Sequence, residues 1–270
     1  MKNIIITGGS RGLGLCHAKY LAKNGYNIHI IDISKRACAV YDEVESISSL
    51  LDVLNKTSNS KFYSCDLTDF KSTSFTINKI LNICGNLHGA VLNAGGDIKG
   101  ADNNASGGKA ENNSLEINID DYDNIFNRNY KTCLNTLKCI IPFLKKQNFG
   151  KIITTSSVSA GYGVDKETAY STAKAAIMHL TRSAASELRP FDISVNCIAP
   201  GPTMTGRFKS TLKNRSVKDL EKINSNGSFL TKVADPIQVS FLVEFLLSEK
   251  SNYITGQVIR IDGGQFTAPI

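Results

Sequence analysis

The chain has 270 residues, of which 41% are hydrophobic and 20% charged, and this composition excludes disorder on the scale of the whole chain. Its formal net charge is +7, yet the sequence contains no nucleic-acid-binding motif and no apolar run near the roughly 20 residues of a membrane span. We therefore expect a single domain, 1–270, that binds neither nucleic acid nor a membrane.

Seven short segments rich in Ile and Val predict buried strands, and amphipathic stretches between them predict helices. The first strand begins at residue 3, which leaves no room for a signal or transit peptide, so we expect a cytoplasmic protein. Repeated strand–helix units predict an α/β fold with a doubly wound, parallel, seven-stranded, Rossmann-like sheet and helices on both faces. The predicted strands are 3–7, 27–32, 61–65, 88–92, 150–155, 193–198 and 257–261, and the predicted helices are 12–24, 42–55, 69–84, 120–147, 166–189 and 236–247.

The first predicted strand runs into a glycine-rich turn, Thr7-Gly8-Gly9-Ser10-Arg11-Gly12-Leu13-Gly14, and a helix follows. Glycines let the backbone approach a ligand closely, and a helix N-terminus offers free amides to a pyrophosphate. The spacing is GxxxGxG rather than the common GxGxxG of dinucleotide-binding proteins. On this turn alone, a plain strand–helix connection stays possible.

Asp32 ends the second predicted strand, 18 residues after Gly14. An acidic side chain there binds the hydroxyls of an adenosine ribose and repels a 2′-phosphate, which favours NAD over NADP. Three nearby cations, Arg11, Lys35 and Arg36, argue for NADP, and a role of Asp32 as a helix cap is the structural alternative.

Two long stretches, 94–119 and 201–232, break the strand–helix rhythm. Both follow predicted strands, so we expect both to overhang the ligand edge of the sheet and to form the substrate pocket. The second includes a basic segment, 207–222, with six basic and two acidic residues. This segment is either a solvated helix or a surface that draws in an anionic substrate.

The pattern Tyr-x-x-x-Lys occurs twice, at Tyr162 with Lys166 and at Tyr170 with Lys174. Residues i and i+4 share one helix face, and a lysine beside a tyrosine favours the phenolate that a general base needs. Tyr170 lies in a helix-favouring run, whereas Gly161 and Gly163 flank Tyr162 and disfavour a helix. The pattern therefore favours the Tyr170 pair, with an exposed helix pair as the alternative.

Seven cysteines, an odd number with no CxxC pair, indicate reduced thiols rather than a disulfide framework or a zinc site, and we expect no metal. They are Cys16, Cys38, Cys65, Cys84, Cys133, Cys139 and Cys197.

Taken together, the motifs resemble those of the short-chain dehydrogenase/reductase family, in its single-domain branch, over nearly the whole chain. The residues that carry the resemblance fall in the family's order: the glycine turn 7–14, Asp66-Leu67, Asn93-Ala94-Gly95, Ser157, Tyr170, Lys174 and Pro200-Gly201.

The resemblance implies a role for each matching position. Tyr170 is the catalytic acid/base, Lys174 lowers its pKa and holds the nicotinamide ribose, Ser157 binds the substrate oxygen, and Asn129 holds a water in the proton relay. Asp66 contacts the adenine, and Thr205 binds the carboxamide. The implied cofactor-binding residues are Gly8, Ser10, Arg11, Gly12, Leu13, Gly14, Asp32, Asp66, Leu67, Asn93, Ala94, Gly95, Tyr170, Lys174, Pro200, Gly201, Thr203 and Thr205.

The substrate is expected to be a small polar hydroxy compound, because the stretches that should form the pocket are rich in hydrogen-bonding groups. The expected substrate residues are Gly96, Asp97, Ser159, Tyr162 and Arg207, where Arg207 is suited to a carboxylate or is a surface charge. The interpretation is an NAD-dependent dehydrogenase of a sugar, polyol or sugar acid, acting in carbohydrate metabolism, with NADP possible. The alternatives are an NADPH-dependent 3-oxoacyl thioester reductase and a non-enzymatic nicotinamide-sensing protein.

An oligomer is also implied by the resemblance, a homotetramer or homodimer paired through the long helices 120–147 and 166–189. Four small residues on the first of these helices are consistent with a dimer face or with core packing: Thr132, Cys133, Thr136 and Cys139.

Overall fold

The fold is described by a computed structural model that covers residues 1–98, 114–212 and 229–267. Its seven strands confirm the predicted sheet, with ends that agree to within one or two residues. All are parallel, in the order β3-β2-β1-β4-β5-β6-β7. The strands are β1 (Lys2–Thr7), β2 (Tyr26–Asp32), β3 (Lys61–Ser64), β4 (Gly89–Leu92), β5 (Gly150–Thr155), β6 (Ile193–Pro200) and β7 (Val258–Ile261).

Helices connect the strands, and polar side chains cap several of them. Asp69 accepts a hydrogen bond from the Ser72 amide at 2.7 Å and so begins the third helix, which ends at Gly85 in the left-handed conformation. The helices are α1 (Gly12–Lys23), α2 (Ile47–Leu54), α3 (Phe70–Cys84), α4 (Ile119–Phe126), α5 (Thr132–Gln147), α6 (Thr168–Leu188), α7 (Gly206–Thr211) and α8 (Pro236–Leu247).

The prediction of one continuous helix over 120–147 is wrong. The helix is divided into α4 and α5 by a π-helical turn, Asn127–Lys131. Such turns insert one extra residue and often occur at functional sites. The physical reason lies outside the segment: the Asn129 side chain bonds to the loop that follows β4, at Gly96.

Two apolar cores lie on opposite faces of the sheet, because successive strand residues point to opposite sides. In β1, Ile5 belongs to the core under α3, α5 and α6, whereas Ile4 and Ile6 belong to the core under α1, α2 and α8. These three side chains are fully buried. Each such burial stabilises the fold by about 1.5–3 kcal/mol. The two cores therefore hold the sheet as a rigid platform for the residues at its edge.

The small-residue stripe on α5 packs inside the chain. Thr132, Cys133 and Thr136 are buried, and Cys133 belongs to the core that α5 shares with α3 and α6. These three residues therefore belong to the core rather than to a dimer face, whereas Cys139 is half-buried, and pairing through the long helices stays a prediction. All seven cysteines are free thiols, as predicted.

The order of the strands reverses between β1 and β4, which are neighbours in the sheet. Chain connections leave the carboxyl ends of these two strands in opposite directions, so a crevice opens there. Of the two expected substrate segments, 99–113 and 213–228 lie outside the described residues, as does most of the basic segment. Within the described part of the chain, no helix is long and apolar enough to cross a membrane.

Candidate active site

A cavity of about 820 Å³ occupies the crevice at the carboxyl edge of the sheet. It collects most of the site residues that the sequence predicts, including residues more than 150 positions apart such as Gly8 and Lys174. The predicted residues that line it are Gly8, Arg11, Gly12, Leu13, Asp32, Asp66, Leu67, Asn93, Ala94, Gly95, Gly96, Asp97, Ser157, Ser159, Tyr162, Tyr170, Lys174, Pro200, Gly201, Thr203, Thr205 and Arg207.

The glycine turn is packed directly against the loop that follows β4. A Cβ atom at Gly8 would lie 2.9 Å from the Ala94 Cα, and one at Gly14 would lie 2.1 Å from the Gly8 carbonyl oxygen. The Thr7 hydroxyl accepts hydrogen bonds from the amides of Asn93 and Ala94, both at 3.0 Å. Only glycine fits these positions, so the turn lies close to the crevice and leaves room for a pyrophosphate at the start of α1.

Asp32 is fixed at the end of β2. One carboxylate oxygen accepts from the Ser10 amide at 3.1 Å and from the Ser10 hydroxyl, and the other accepts from the Ile33 amide at 2.8 Å. Arg11 lies over the ring of Tyr41, 5.5 Å from its centroid, and Lys35 and Arg36 are exposed. The carboxylate therefore lines the cavity in a fixed position, with lone pairs left for further donors.

Tyr170 and Lys174 occupy one face of α6, as their spacing predicts, and both line the cavity. The Lys174 ammonium donates to the Thr155 carbonyl at 2.9 Å and lies 5.6 Å from the centroid of the Tyr170 ring. Lys174 is buried, and burial lowers its pKa to about 8. The lysine is thus anchored to the end of β5 beside the tyrosine.

Burial is the dominant influence on Tyr170 and raises its pKa to about 12. The hydrogen bond with Ser157 and the positive charge of Arg207 lower this pKa, and the charges of Glu167 and Asp97 raise it. Ser157 therefore lies within hydrogen-bonding reach of the phenol. The stabilisation of the phenolate by Lys174 stays a prediction, because in this geometry the charge that acts on Tyr170 in that direction is Arg207.

The competing pair, Tyr162 and Lys166, is not helical. Tyr162 follows a short 3-10 turn and stacks on Phe266, with ring centroids 3.9 Å apart. Lys166 adopts a left-handed backbone, with φ of 60°. Of the two pairs, Tyr170 and Lys174 therefore share a helix face, whereas Tyr162 lies on the wall of the cavity.

Three predicted site residues lie behind the cavity wall: Ser10, Gly14 and Asn129. Asn129 is fully buried, and its side-chain amide donates to the Gly96 carbonyl at 3.0 Å while its oxygen accepts from the Gly96 amide at 2.9 Å. Its side chain therefore fixes the loop after β4, and its part in a proton relay stays a prediction.

The part of the cavity that faces away from the glycine turn is lined by charged side chains such as Arg128 and Arg207 together with apolar ones such as Ile98 and Phe208. Arg207 donates to the Asp97 carbonyl, and a Cβ at Gly96 would lie 2.7 Å from the Arg207 guanidinium. Arg128 donates to the Ile98 carbonyl at 2.9 Å. Among residues 1–98, 114–212 and 229–267, no cluster of His, Cys, Asp or Glu is arranged to hold a metal ion.

Sequence reasoning missed several residues of this cavity, notably Tyr41, Arg128, Glu167 and Gln265. Arg128 lies in the π-helical turn, and no sequence signal marked that turn. Glu167 immediately precedes α6, so its closeness to Tyr170 was available from the sequence once the helix was placed.

Comparison with known proteins shows similarity over nearly the whole chain. A family model described as enoyl-(acyl carrier protein) reductase matches residues 8–265. The cyclohexanol dehydrogenase of Rhodococcus sp. (strain TK6) is 29% identical, with 97% of this chain and 95% of that protein covered. The 3-oxoacyl-[acyl-carrier-protein] reductase FabG of Chlamydia muridarum is 30% identical, with 97% of this chain and 96% of that protein covered. The solved structure "ElxO with NADP Bound" is 28% identical, with a TM-score of 0.81 and 97% of this chain and 98% of that chain covered.

Proposed function

The chain belongs to the short-chain dehydrogenase/reductase family, and we propose that it is an NAD-dependent dehydrogenase of a polar hydroxy compound. Family membership makes it an NAD(P)-dependent oxidoreductase that acts on CH–OH groups. The observation that carries the proposal is the cluster of Ser157, Tyr170 and Lys174 beside the glycine turn, in one cavity.

The chain's own residues bind the substrate oxygen and move its proton. Bound NAD or NADP supplies the acceptor or donor of a hydride. The Ser157 hydroxyl holds the substrate oxygen next to the Tyr170 phenol. Tyr170 takes the hydroxyl proton when an alcohol is oxidised and returns a proton when a ketone is reduced. The Thr155 carbonyl holds the Lys174 ammonium, and Lys174 in turn fixes the position of the Tyr170 ring.

Asp32 supports the preference for NAD. Its buried carboxylate lines the cavity at the end of β2, where the hydroxyls of an adenosine ribose bind in sheets of this type. Near a protein surface, a 2′-phosphate about 4 Å from this carboxylate would be disfavoured by roughly 4 kcal/mol per unit charge. Arg11 packs on the Tyr41 ring and the other two cations are exposed, whereas the Asp32 carboxylate is buried in a fixed position at the end of β2.

The polar side chains in the part of the cavity that faces away from the glycine turn support a sugar, polyol or sugar acid as the substrate. Asp97, Ser159 and Gln265 offer hydrogen bonds, and Arg128 and Arg207 offer positive charge. A steroid or a long acyl chain would need a largely apolar lining instead. The Arg207 guanidinium, which packs on Gly96, is the group we assign to a substrate carboxylate.

A second candidate is an NADPH-dependent 3-oxoacyl thioester reductase. It is favoured by the likeness to FabG of Chlamydia muridarum and by the positive charge of Arg207 and Lys209 on α7, since an acyl carrier is acidic. Asp32 opposes it, because that carboxylate disfavours NADPH.

We further propose a cytoplasmic homotetramer or homodimer. The fold of the family supports this assembly, and the buried residues Thr132, Cys133 and Thr136 would take no part in its interface. Size-exclusion chromatography with light scattering distinguishes the two sizes from a monomer.

A substrate panel tests the proposed function. Sugars, polyols, sugar acids and 3-hydroxyacyl thioesters are each incubated with NAD⁺ and with NADP⁺, and Tyr170→Phe provides the blank. Reduction of NAD⁺ by a sugar or sugar acid, absent from the variant, is the expected result. Turnover of the thioester alone, with NADP⁺, would establish the second candidate, and dinucleotide binding without any turnover would indicate the non-enzymatic sensor.

A further inference from the structure

Glu43 joins two segments of the crevice that are distant in sequence. One carboxylate oxygen accepts from the Gly12 amide, in the glycine turn, at 2.7 Å, and the other accepts from the Gly206 amide at 2.8 Å. Both donors are backbone groups at helix starts that have no partner within their own helices. Each is a charge-assisted hydrogen bond, which is stronger than a bond between neutral groups.

Glu43 belongs to a short segment that is anchored at both ends. Cys38 on one side and Ile47 on the other are buried in the same apolar core. Between them lie residues 39–46, and we name this segment the strap. Its Val44 packs against the core, whereas its Tyr41 lies at the crevice. Its Tyr41 ring lines the cavity and carries the Arg11 guanidinium, 5.5 Å from the ring centroid.

At the crevice the strap meets a segment that comes from the other half of the sheet. It follows β2, whereas Gly206 follows β6, and the strands β1, β4 and β5 lie between them. Four strand spacings amount to roughly 19 Å across the carboxyl edge. The contact is close: a Cβ at Gly206 would lie 2.6 Å from the Glu43 side chain and 2.9 Å from the Tyr41 Cβ. The strap therefore closes the rim of the crevice above the glycine turn.

Glu43 itself lies outside the lining of the cavity, whereas Tyr41 lies in it. A group in this position holds the rim without occupying the space of a ligand. Loss of its two hydrogen bonds should therefore change how easily the rim opens more than how tightly a ligand is held.

We propose that the two hydrogen bonds of Glu43 hold the strap closed, and that both must break before a dinucleotide can enter or leave. The inference rests on the proposed function only in taking the ligand to be a nicotinamide dinucleotide. It assigns Glu43 a positioning role, and no contact with substrate or cofactor.

The test measures exchange of NADH in the full-length chain. Binding is followed by stopped-flow NADH fluorescence, and release by displacement with excess NAD⁺. Glu43→Gln keeps the shape but loses at least one of the two bonds, and the loss of one charge-assisted bond corresponds to about a tenfold change in rate. We expect the association and dissociation rates both to rise about tenfold, with Kd unchanged within about threefold.

Two further variants separate the effect of the two hydrogen bonds from the effect of the negative charge of Glu43. Gly206→Ala places a methyl group against the Glu43 side chain and leaves the charge of the chain unaltered, so it should reproduce the faster exchange. Glu45→Gln removes one negative charge from the exposed side of the same strap and should leave both rates at the wild-type value. Circular dichroism and thermal melting confirm that each variant is folded.

Three results would overturn the inference. Unchanged rates in both Glu43→Gln and Gly206→Ala would show that the strap does not gate exchange. A faster dissociation alone, with a weaker Kd, would make Glu43 a ligand contact, and a tighter Kd would make it an electrostatic competitor of the pyrophosphate. A wild-type chain that binds neither NADH nor NADPH would instead refute the proposed function.

Discussion

The two sides of the cavity are built in different ways. The cofactor side consists of backbone and small side chains in fixed contact, as where the Thr7 hydroxyl accepts from the amides of Asn93 and Ala94. The substrate side consists of long charged side chains from separate segments, as where Arg207 of α7 donates to the Asp97 carbonyl. The first side tolerates little change of shape, and the second tolerates changes of side chain. The family accounts for the type of reaction, and the choice of substrate by these charged side chains stays a prediction.

Removal of the Tyr170 hydroxyl should have the largest effect, and it tests whether chemistry and cofactor binding are separable. In Tyr170→Phe the proton has no acceptor, and general acid–base catalysis contributes about 10²–10⁴ in rate. We expect kcat to fall by about 10³. NADH binding, measured by fluorescence titration, should stay within about threefold of wild type. A large loss of binding would mean that the tyrosine is part of the cofactor side.

A methyl group at Gly14 should displace the glycine turn on the cofactor side of the cavity and weaken NADH binding. The added Cβ would lie 2.1 Å from the Gly8 carbonyl oxygen, so the turn must move. Overpacking of this kind costs about 1–3 kcal/mol of stability, and we expect NADH affinity to fall at least tenfold, or about 1.4 kcal/mol. Gly85→Ala is the control, since Gly85 has a positive φ with open space around it. It should lose about 1 kcal/mol of stability and no affinity. Equal losses of affinity in both variants would contradict the role of the turn.

Replacement of Asp32 should alter cofactor choice and leave the reaction intact. Asp32→Asn removes the negative charge but keeps an acceptor for Ser10. The ratio of kcat/KM for NAD⁺ to that for NADP⁺ should fall by about tenfold or more, since each tenfold change corresponds to 1.4 kcal/mol. Steady-state kinetics with both cofactors measure it, and an unchanged ratio would show that the carboxylate serves only to hold the glycine turn.

With a neutral substrate, which has no carboxylate for Arg207 to bind, charge removal on the substrate side should have the smallest effect, with opposite signs for the two charges. Oxidation needs the Tyr170 phenolate, so kcat/KM rises with pH through the pKa of Tyr170. Arg207 lowers this pKa and Asp97 raises it. In Arg207→Gln the limb of the pH–rate profile should therefore move to higher pH, and in Asp97→Asn to lower pH. Movement in the same direction would mean that the variants act through a shift of the loop.

The sequence predicted the parts of the molecule whose residues act locally. Apolar strands, the glycine turn and the Tyr170–Lys174 spacing each follow from a few neighbouring residues, and the structure has them in place. The break of the helix at Asn127–Lys131 was not predictable, because the apolar pattern continues through it and the cause is the bond between Asn129 and Gly96.

Contacts between segments that are distant in sequence were also missed, because the residues around each partner carry no signal of the contact. No feature of the sequence distinguishes Glu43 from an acidic residue on the surface, and its two partners, Gly12 and Gly206, are 31 and 163 residues away. The small stripe on α5 was ambiguous because Thr132, Cys133 and Thr136 suit a dimer face as well as a core, and only the placement of α3 and α6 decides between them.

The rate of sugar and sugar-acid oxidation by the wild-type chain, with NAD⁺ and NADP⁺ compared at equal concentration, tests the proposed function most directly. We expect reduced nicotinamide to form with NAD⁺ at least about tenfold faster than with NADP⁺. We also expect sugar acids to be preferred over the matching neutral sugars, because Arg207 lines the cavity. A chain that oxidises neither class, but reduces a 3-oxoacyl thioester with NADPH, would contradict both the polar-substrate assignment and the role given to Asp32.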